Sequence, residues 1–135
     1  MKHSEFIGKA QQRTQFGQRG HAVRATRAVL WTLGERLPEG DATDLASPLP
    51  VDIDFYLREP SSGQQFDFDE FVDRVAERAD ADASDATFYA QAIVSLVAEV
   101  VPDGEIEDVR NSLPEEYDPL FDLVGVEEGA IEQNR

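Results

Sequence analysis

The chain has 135 residues, enough for one ordinary domain or two very small ones. It contains no cysteine, which excludes disulfides, thiolate metal sites and cysteine nucleophiles. Its 28 acidic and 12 basic residues give a net charge of −16, and no apolar run approaches the roughly 20 residues needed to span a bilayer. Residues 1–6 include an acid and no apolar stretch, so we expect no signal peptide, no membrane partner and a cytoplasmic location.

The charges are unevenly distributed along the chain. Residues 1–36 hold seven bases and two acids, whereas residues 37–135 hold five bases and 26 acids. Only two of the bases are lysines, and acid-rich, lysine-poor surfaces look like those of proteins from salt-accumulating archaea. Near molar salt the Debye length falls to about 3 Å, which screens the self-repulsion of such a chain. We interpret the acidity as adaptation to high salt; the alternative is a specific acidic function, such as mimicry of nucleic acid.

The first predicted element is a short amphipathic helix over residues 4–13. A matching helix is predicted over residues 69–78, with Asp67 or Asp69 as its N-cap. The side chains expected to face inward are Phe6, Ile7 and Ala10 in the first helix and Phe71, Val72 and Val75 in the second.

The longest helices are predicted over residues 21–37 and 85–101. Each has apolar or small residues along one helical stripe. The first stripe comprises Ala22, Thr26, Val29, Leu30, Leu33 and Leu37, and the second comprises Ala86, Ala90, Ile93, Val94, Val97 and Val101. Leu96 and Val100 widen the second stripe, so we expect the second long helix to be the more buried of the two.

Each long helix is followed by a proline, an acid and a glycine, which end it. A short third helix then starts with acids in its first turn, and Leu45 or Val109 points it at the core. A fourth segment is predicted to start at Leu49-Pro50 and Leu113-Pro114, with proline as the first helical residue. Its inward side chains are predicted to be Ile53 and Leu57 in the first half, and Tyr117 and Phe121 in the second.

These elements occur twice because the sequence repeats itself. Residues 28–57 align without a gap to residues 92–121, and eight of the thirty pairs are identical. The pattern predicts an all-α fold of two tandem four-helix repeats, packed as one pseudo-twofold bundle. The predicted organisation is a first repeat over residues 1–58, a linker over 59–65, a second repeat over 66–124 and a flexible acidic tail over 125–135.

Both copies of the repeat resemble one protein family in sequence. The resemblance lies in three segments: RATRAVLWTLGERLPEGDATDLASPLP at residues 24–50, FDEFVDRVAERA at 68–79 and PDGEIEDVRNSLPEEYDPLF at 102–121. They are similar to the domain of unknown function 2267 family in its haloarchaeal form, over about residues 4–124. The resemblance implies an all-helical fold and no activity, cofactor or catalytic residue. Trp31 departs from the small or charged residue that the family pattern has there.

Few residues suggest chemistry. Glu35 and Glu99 are equivalent in the two copies and would approach each other if the pseudo-twofold axis passed between the long helices, where two carboxylates could share a proton or hold a cation. Solvated acids are the favoured interpretation. The alternating acids of residues 80–85 lack the glycine and glutamate of a calcium loop, and no nucleophile or nucleotide motif occurs. We therefore predict no catalytic, cofactor or metal residues.

The basic stretch of residues 9–27 offers the best candidate contacts. Arg24, Arg27 and Trp31 share the helix face opposite the apolar stripe, where an exposed tryptophan beside arginine suits a protein or nucleic-acid contact. Arg19 lies in a glycine-bounded turn, residues 17–20, that could hold an anion at a helix N-terminus. The favoured alternatives are a plain interhelical loop, a Trp31 covered by Arg27 or by the other repeat, and arginines that face the acidic half of the same molecule.

These observations favour a non-enzymatic helical protein, acting as a protein-interaction or stress-related accessory module adapted to high salt. The expected partner is a protein, contacted through Arg19, Arg24, Arg27 and Trp31. A nucleic-acid or ribosome-associated binder using the same basic face is the first alternative, and an enzyme with a carboxylate site around Glu35 and Glu99 is the least favoured. The sequence leaves the ligand and the oligomeric state open.

Overall fold

The computed structural model describes residues 1–126, which contain seven α-helices, one 3₁₀ helix and no strand. The elements are α1 (His3–Thr14), α2 (Arg19–Arg36), α3 (Glu39–Ala46), α4 (Ile53–Arg58), α5 (Phe68–Ala79), α6 (Ala83–Val100), α7 (Asp103–Asn111) and the 3₁₀ helix Glu115–Phe121. The predicted all-α class is confirmed. No helix within these residues is both long and apolar enough to cross a bilayer. Residues 127–135 of the predicted tail lie outside the described residues.

Helices α1 and α5 have closely similar ends. Each finishes at a non-glycine residue in the left-handed region, Gln15 with φ 61° and Asp80 with φ 55°. Asp67 caps α5 by accepting a hydrogen bond from the Glu70 amide at 2.8 Å, as one of the two predicted caps. The side chains predicted to face inward from both helices are all buried.

The long helices bury the predicted stripes, and their overall burial is similar. Ten residues of α2 are buried against nine of α6, whereas five residues of α2 and three of α6 are exposed, although α6 is the more apolar. The reason is packing: α2 contacts α1, α4, α5 and α6, so it is covered on more sides than its apolar stripe requires. Small residues such as Ala25, Ala28 and Gly34 provide the additional buried positions.

Gly34 allows α4 to lie unusually close to α2. A Cβ atom built on Gly34 would stand 2.8 Å from the Leu57 carbonyl oxygen and 3.2 Å from the Pro60 ring. Atoms cannot approach that closely, so only glycine fits without displacing the backbone of α4. Ala98, which is half-buried, occupies the corresponding position of α6.

The fourth segment differs from its prediction in both halves. In the first half the helix starts at Ile53, not at Pro50, because Asp52 has φ 79° and interrupts the helical path. The Pro50 carbonyl accepts hydrogen bonds from the amides of Ile53 and Asp54, both at 3.1 Å. In the second half the segment is a 3₁₀ helix that contains Pro119, a residue without an amide donor. The inward side chains of both segments are buried as predicted: Ile53, Leu57, Tyr117 and Phe121.

The two halves interleave around one core. Helix α1 packs against α2 and α6, and α5 packs against α6 and α2, so the first helix of each half contacts the long helix of the other. The long helices also contact each other, as do α3 and α7. Residues 59–65 stay attached to the end of α2, where the Gly63 amide donates to Leu37 at 2.8 Å and the Gln64 amide donates to Glu35 at 2.9 Å.

Candidate functional site

A groove with an open mouth runs along the outer face of α2 and is bounded by one side chain of α5. Its volume is about 590 Å³, within the range of about 300–1,000 Å³ typical of small-molecule and peptide-anchor sites. Its lining residues, which define the arginine–tryptophan groove, are Gly20, Val23, Arg24, Arg27, Ala28, Trp31 and Arg78.

The helical repeat of α2 explains why these residues meet. Arg24, Arg27 and Trp31 are three, four and seven residues apart and therefore share one face of the helix. The Arg27 guanidinium lies over the Trp31 ring, 5.6 Å from its centroid, which is cation–π geometry. Both arginines are exposed and the tryptophan is half-buried. The predicted juxtaposition of Arg27 and Trp31 is therefore present in the fold.

Trp31 has a second neighbour, which the sequence reasoning missed. The Phe55 ring of α4 lies 6.4 Å from the Trp31 ring at a tilted angle. Of the two predicted ways of covering Trp31, contact with Arg27 is the one observed, and the further cover comes from α4 of the same half. The close packing of α4 on α2 at Gly34 brings the Phe55 ring near Trp31. The separation of residues 31 and 55 in the sequence does not indicate this contact.

Among residues 1–126 no carboxylate forms an ion pair with Arg19, Arg24 or Arg27. Arg24 nevertheless lines a second cavity together with Asp80 of the acidic half, so the prediction that these arginines face that half stays a prediction. Arg13 of the same basic stretch does reach the second half, where it pairs with Glu99. The Arg19 guanidinium donates to the Ser4 carbonyl at 3.0 Å and does not line the groove, so it stands apart from the other three predicted contacts.

Arg78 closes one side of the groove, and the sequence reasoning missed it. Its guanidinium donates to both carboxylate oxygens of Glu35, at 2.5 and 3.0 Å, and to the Thr32 hydroxyl at 2.9 Å. The sequence did hold a signal for this pair. Arg78 corresponds to Arg13 in the repeat, and Glu35 corresponds to Glu99, so the two arginine–glutamate bridges are equivalent in sequence.

Glu35 serves as an anchor for arginines. Its carboxylate also accepts a hydrogen bond from Arg74 at 3.2 Å, and that guanidinium stacks 3.9 Å from the centroid of the Phe66 ring. Burial raises the pKa of Glu35, but the hydrogen bonds and charges of Arg78 and Arg74 outweigh burial and hold the pKa below its ordinary value. Burial lowers the pKa of Arg74, yet Glu70 and Glu35 reverse this and raise it. The Glu35 carboxylate is thus kept ionised.

Glu99 is engaged in the same way. It pairs with Arg13, which is 3% exposed and also donates to the Ser95 hydroxyl at 2.9 Å. The structure thus places each of the two repeat-related carboxylates against its own arginine. Among residues 1–126 no group of three potential metal ligands occurs. The acids of residues 80–85 act at helix ends: Asp80 ends α5, and Asp82 caps α6 by accepting from the Asp85 amide at 2.8 Å.

A family model described as an uncharacterized conserved protein (DUF2267) matches residues 3–120, which is most of the chain. No curated protein matches the sequence.

Proposed function

Since the chain belongs to the DUF2267 family of uncharacterized conserved proteins, we propose that it is a non-enzymatic interaction module that binds an anionic partner protein. The proposed contact surface is the arginine–tryptophan groove. A stress-related accessory role fits the same proposal, because an accessory module needs a binding face and no reaction centre. The family itself supplies no ligand, so the proposal depends on the groove.

One observation carries the proposal. In a chain with 28 acids and 12 bases, Arg24 and Arg27 stay exposed and without an ion pair to any residue between 1 and 126. Arginines paired with carboxylates occur elsewhere on the molecule, in α1, α4, α5 and α7. Two available guanidiniums beside an indole ring are suited to bidentate carboxylate pairing and to stacking.

A protein partner is favoured over nucleic acid by the total charge. A polynucleotide that reached the groove would also meet the field of a molecule with net charge −16. Binding of nucleic acid depends on many phosphate contacts, whereas the groove supplies two unpaired arginines. A nucleic-acid or ribosome-associated role through this basic face is the less favoured proposal. An enzyme around Glu35 and Glu99 is the least favoured, because arginine engages both carboxylates.

We further propose that the fold is an internal duplication: two tandem four-helix repeats, residues 1–58 and 66–124, related by a pseudo-twofold axis. The reciprocal packing of α1 on α6 and α5 on α2 supports this, as do the equivalent bridges Arg13–Glu99 and Arg78–Glu35. The acid-rich, lysine-poor composition supports a haloarchaeal-type member working in a salt-rich cytoplasm.

The test compares capture by matched proteins at molar potassium chloride. Immobilised wild type, the double variant Arg24→Ala/Arg27→Ala and the control Arg110→Ala are each exposed to native lysate. We expect at least one acidic protein to be retained by the wild type and the control and lost from the double variant. Identical retention by all three proteins would contradict the proposal, and retention of RNA in place of protein would favour the alternative.

A further inference from the structure

The groove continues into an exposed aromatic surface on α4. Phe55 is 49% exposed although it is a large apolar residue, and its ring is the one that contacts Trp31. Val51, on the turn that leads into the same helix, is 78% exposed. We call Trp31 and Phe55, with Val51 on the adjoining turn, the apolar shelf. Isolated exposed apolar residues are ordinary, but aromatic side chains gathered beside a polar groove are typical of interaction sites.

The second half shows that the fold does not require such a shelf. The residues corresponding to Trp31 and Phe55 are Ser95 and Pro119, and the one corresponding to Val51 is Glu115. Gln91, which corresponds to Arg27, donates a hydrogen bond to the Pro119 carbonyl at 2.9 Å and so joins α6 to the 3₁₀ helix. Phe88, which corresponds to Arg24, is half-buried against the core, so the equivalent region has neither the exposed arginines nor an exposed aromatic side chain. The exposed apolar side chains of the first half therefore have no equivalents at the matching positions of the second half.

We propose that the arginine–tryptophan groove and the apolar shelf form one composite site for an acidic segment that carries an apolar side chain. The carboxylates of the segment pair with Arg24 and Arg27, and its apolar side chain packs on Trp31 and Phe55. This inference rests on the proposed function and specifies the chemistry of the partner.

At high salt concentration the arginines and the apolar shelf contribute differently to binding. Carboxylate–arginine pairs at an exposed surface are weakened by the short Debye length of a concentrated salt solution. Burial of an apolar side chain is not screened in this way. An acidic segment without an apolar side chain therefore binds weakly at high salt, whereas one that covers the shelf retains its affinity. The arginines select the charge, and the shelf supplies the affinity.

A second copy of this chain is a poorer occupant of the same site. A symmetric dimer centred on the groove would place the same patch on both subunits and bring the arginines of both copies into one contact. Like charges brought together in a contact without acids are unfavourable. The charge complementarity thus favours a separate acidic segment.

The experiment uses three short peptides of equal length, titrated at molar potassium chloride. The first has aspartates and glutamates around one phenylalanine, the second has serine in place of the phenylalanine, and the third has asparagines and glutamines in place of the acids. Trp31 is the only tryptophan of the chain, so its fluorescence reports occupancy directly. We expect the first peptide to bind at least about tenfold more tightly than the second, which lacks the apolar contact, and more tightly by a smaller factor than the third, which lacks only the screened carboxylate–arginine pairs.

Variants of Phe55 separate the shelf from the groove. Phe55→Ser should weaken the first peptide about tenfold and leave the second unchanged, whereas Phe55→Leu, which keeps an apolar side chain, should retain most of the affinity. Because Phe55 is half exposed, both variants should unfold at a temperature close to that of the wild type, which circular dichroism checks.

The outcomes distinguish the two proposals. If neither acidic peptide binds, the groove is not an acidic-segment site and both proposals fail. If both acidic peptides bind equally and Phe55→Ser has no effect, the groove stands and the composite site is overturned. Sedimentation that shows wild-type dimers and monomeric Phe55→Ser would assign the shelf to a second copy and overturn the inference. Binding of oligouridine that is weakened by Phe55→Ser would do the same in favour of RNA.

Discussion

Helices α2 and α6 have equal length, yet three equivalent positions outside their buried stripes carry different side chains. In α2 they are the exposed Arg24 and Arg27 and the half-buried Trp31. In α6 they are the half-buried Phe88, Gln91, which is tied to the 3₁₀ helix, and the buried Ser95, which is bonded to Arg13. The buried stripes of the two helices, in contrast, consist of similar small and apolar residues. The core positions of the two helices have thus kept one pattern, whereas the arginines and the tryptophan of α2 have no equivalent in α6.

The largest expected difference between the halves concerns the two bridges. Glu35→Gln should lower the free energy of unfolding by about 2 to 3 kcal/mol, because it leaves the guanidiniums of Arg78 and Arg74 without their shared carboxylate. The matched change Glu99→Gln should cost more, about 3 to 5 kcal/mol, since it leaves the guanidinium of Arg13, whose side chain is only 4% exposed, without a carboxylate. Urea unfolding at molar salt measures both. Equal losses would show that the bridges are energetically equivalent.

Acid titration tests how the stabilising effect of Glu35 depends on pH. The pKa of Glu35 in the folded protein lies below its ordinary value of 4.5, so its stabilising effect is complete above pH 4.5. That effect is lost as the pH falls below 4.5 and through the folded pKa. The stability gap between wild type and Glu35→Gln should therefore close on acidification. A gap that stays constant down to the acid unfolding of the wild type would contradict the lowered pKa.

The next effect concerns the seating of α4. Gly34→Ala should destabilise the protein by about 1 to 3 kcal/mol, because the added methyl group meets the Leu57 backbone at 2.8 Å. The reciprocal change at the corresponding position, Ala98→Gly, should cost about 1 kcal/mol, which is the ordinary helix penalty of glycine. Thermal unfolding measures both. A stabilised Gly34→Ala would mean that α4 does not need its close approach.

The smallest effect is local to the groove. Arg27→Ala should shift the emission of Trp31 to longer wavelength, because the guanidinium over the ring is replaced by water. The change in unfolding free energy should be about 0.5 to 1 kcal/mol, as for exposed cation–π pairs. Arg24→Ala is the control, and it should leave the emission spectrum unchanged in the absence of ligand. A similar spectral shift in both variants would indicate that Arg27 does not cover the ring.

Much of the fold could be predicted because its signals are local. The stripes of α2 and α6, the Asp67 cap and the breakers at Pro38 and Pro102 each depend on residues within one or two turns. The start of α4 could not be predicted because Asp52 adopts a positive φ, and no glycine stands at that position to indicate such a conformation. The additional buried positions of α2 could not be predicted because they depend on how many helices surround it, which apolarity alone does not indicate.

Only the residues of the candidate site that lie on one helix could be predicted from the sequence. Arg24, Arg27 and Trp31 lie on α2, so their meeting follows from helical spacing alone. Arg78 and Phe55 arrive from α5 and α4, and their positions depend on interhelical packing. Arg19 was grouped with the others on charge, but its side chain turns to the Ser4 carbonyl at the beginning of α1.

The hydrogen bonds from Gly63 and Gln64 to the end of α2 have a consequence for how the chain can be divided. They fill two acceptors, the carbonyls of Leu37 and Glu35, that the last turn of a helix otherwise leaves to water. A fragment that ended at residue 58 would retain every helix of the first half and lose the donors that finish α2, together with the α5 arginines around Glu35. We therefore expect residues 1–58 alone to be less stable than the same residues within the full chain.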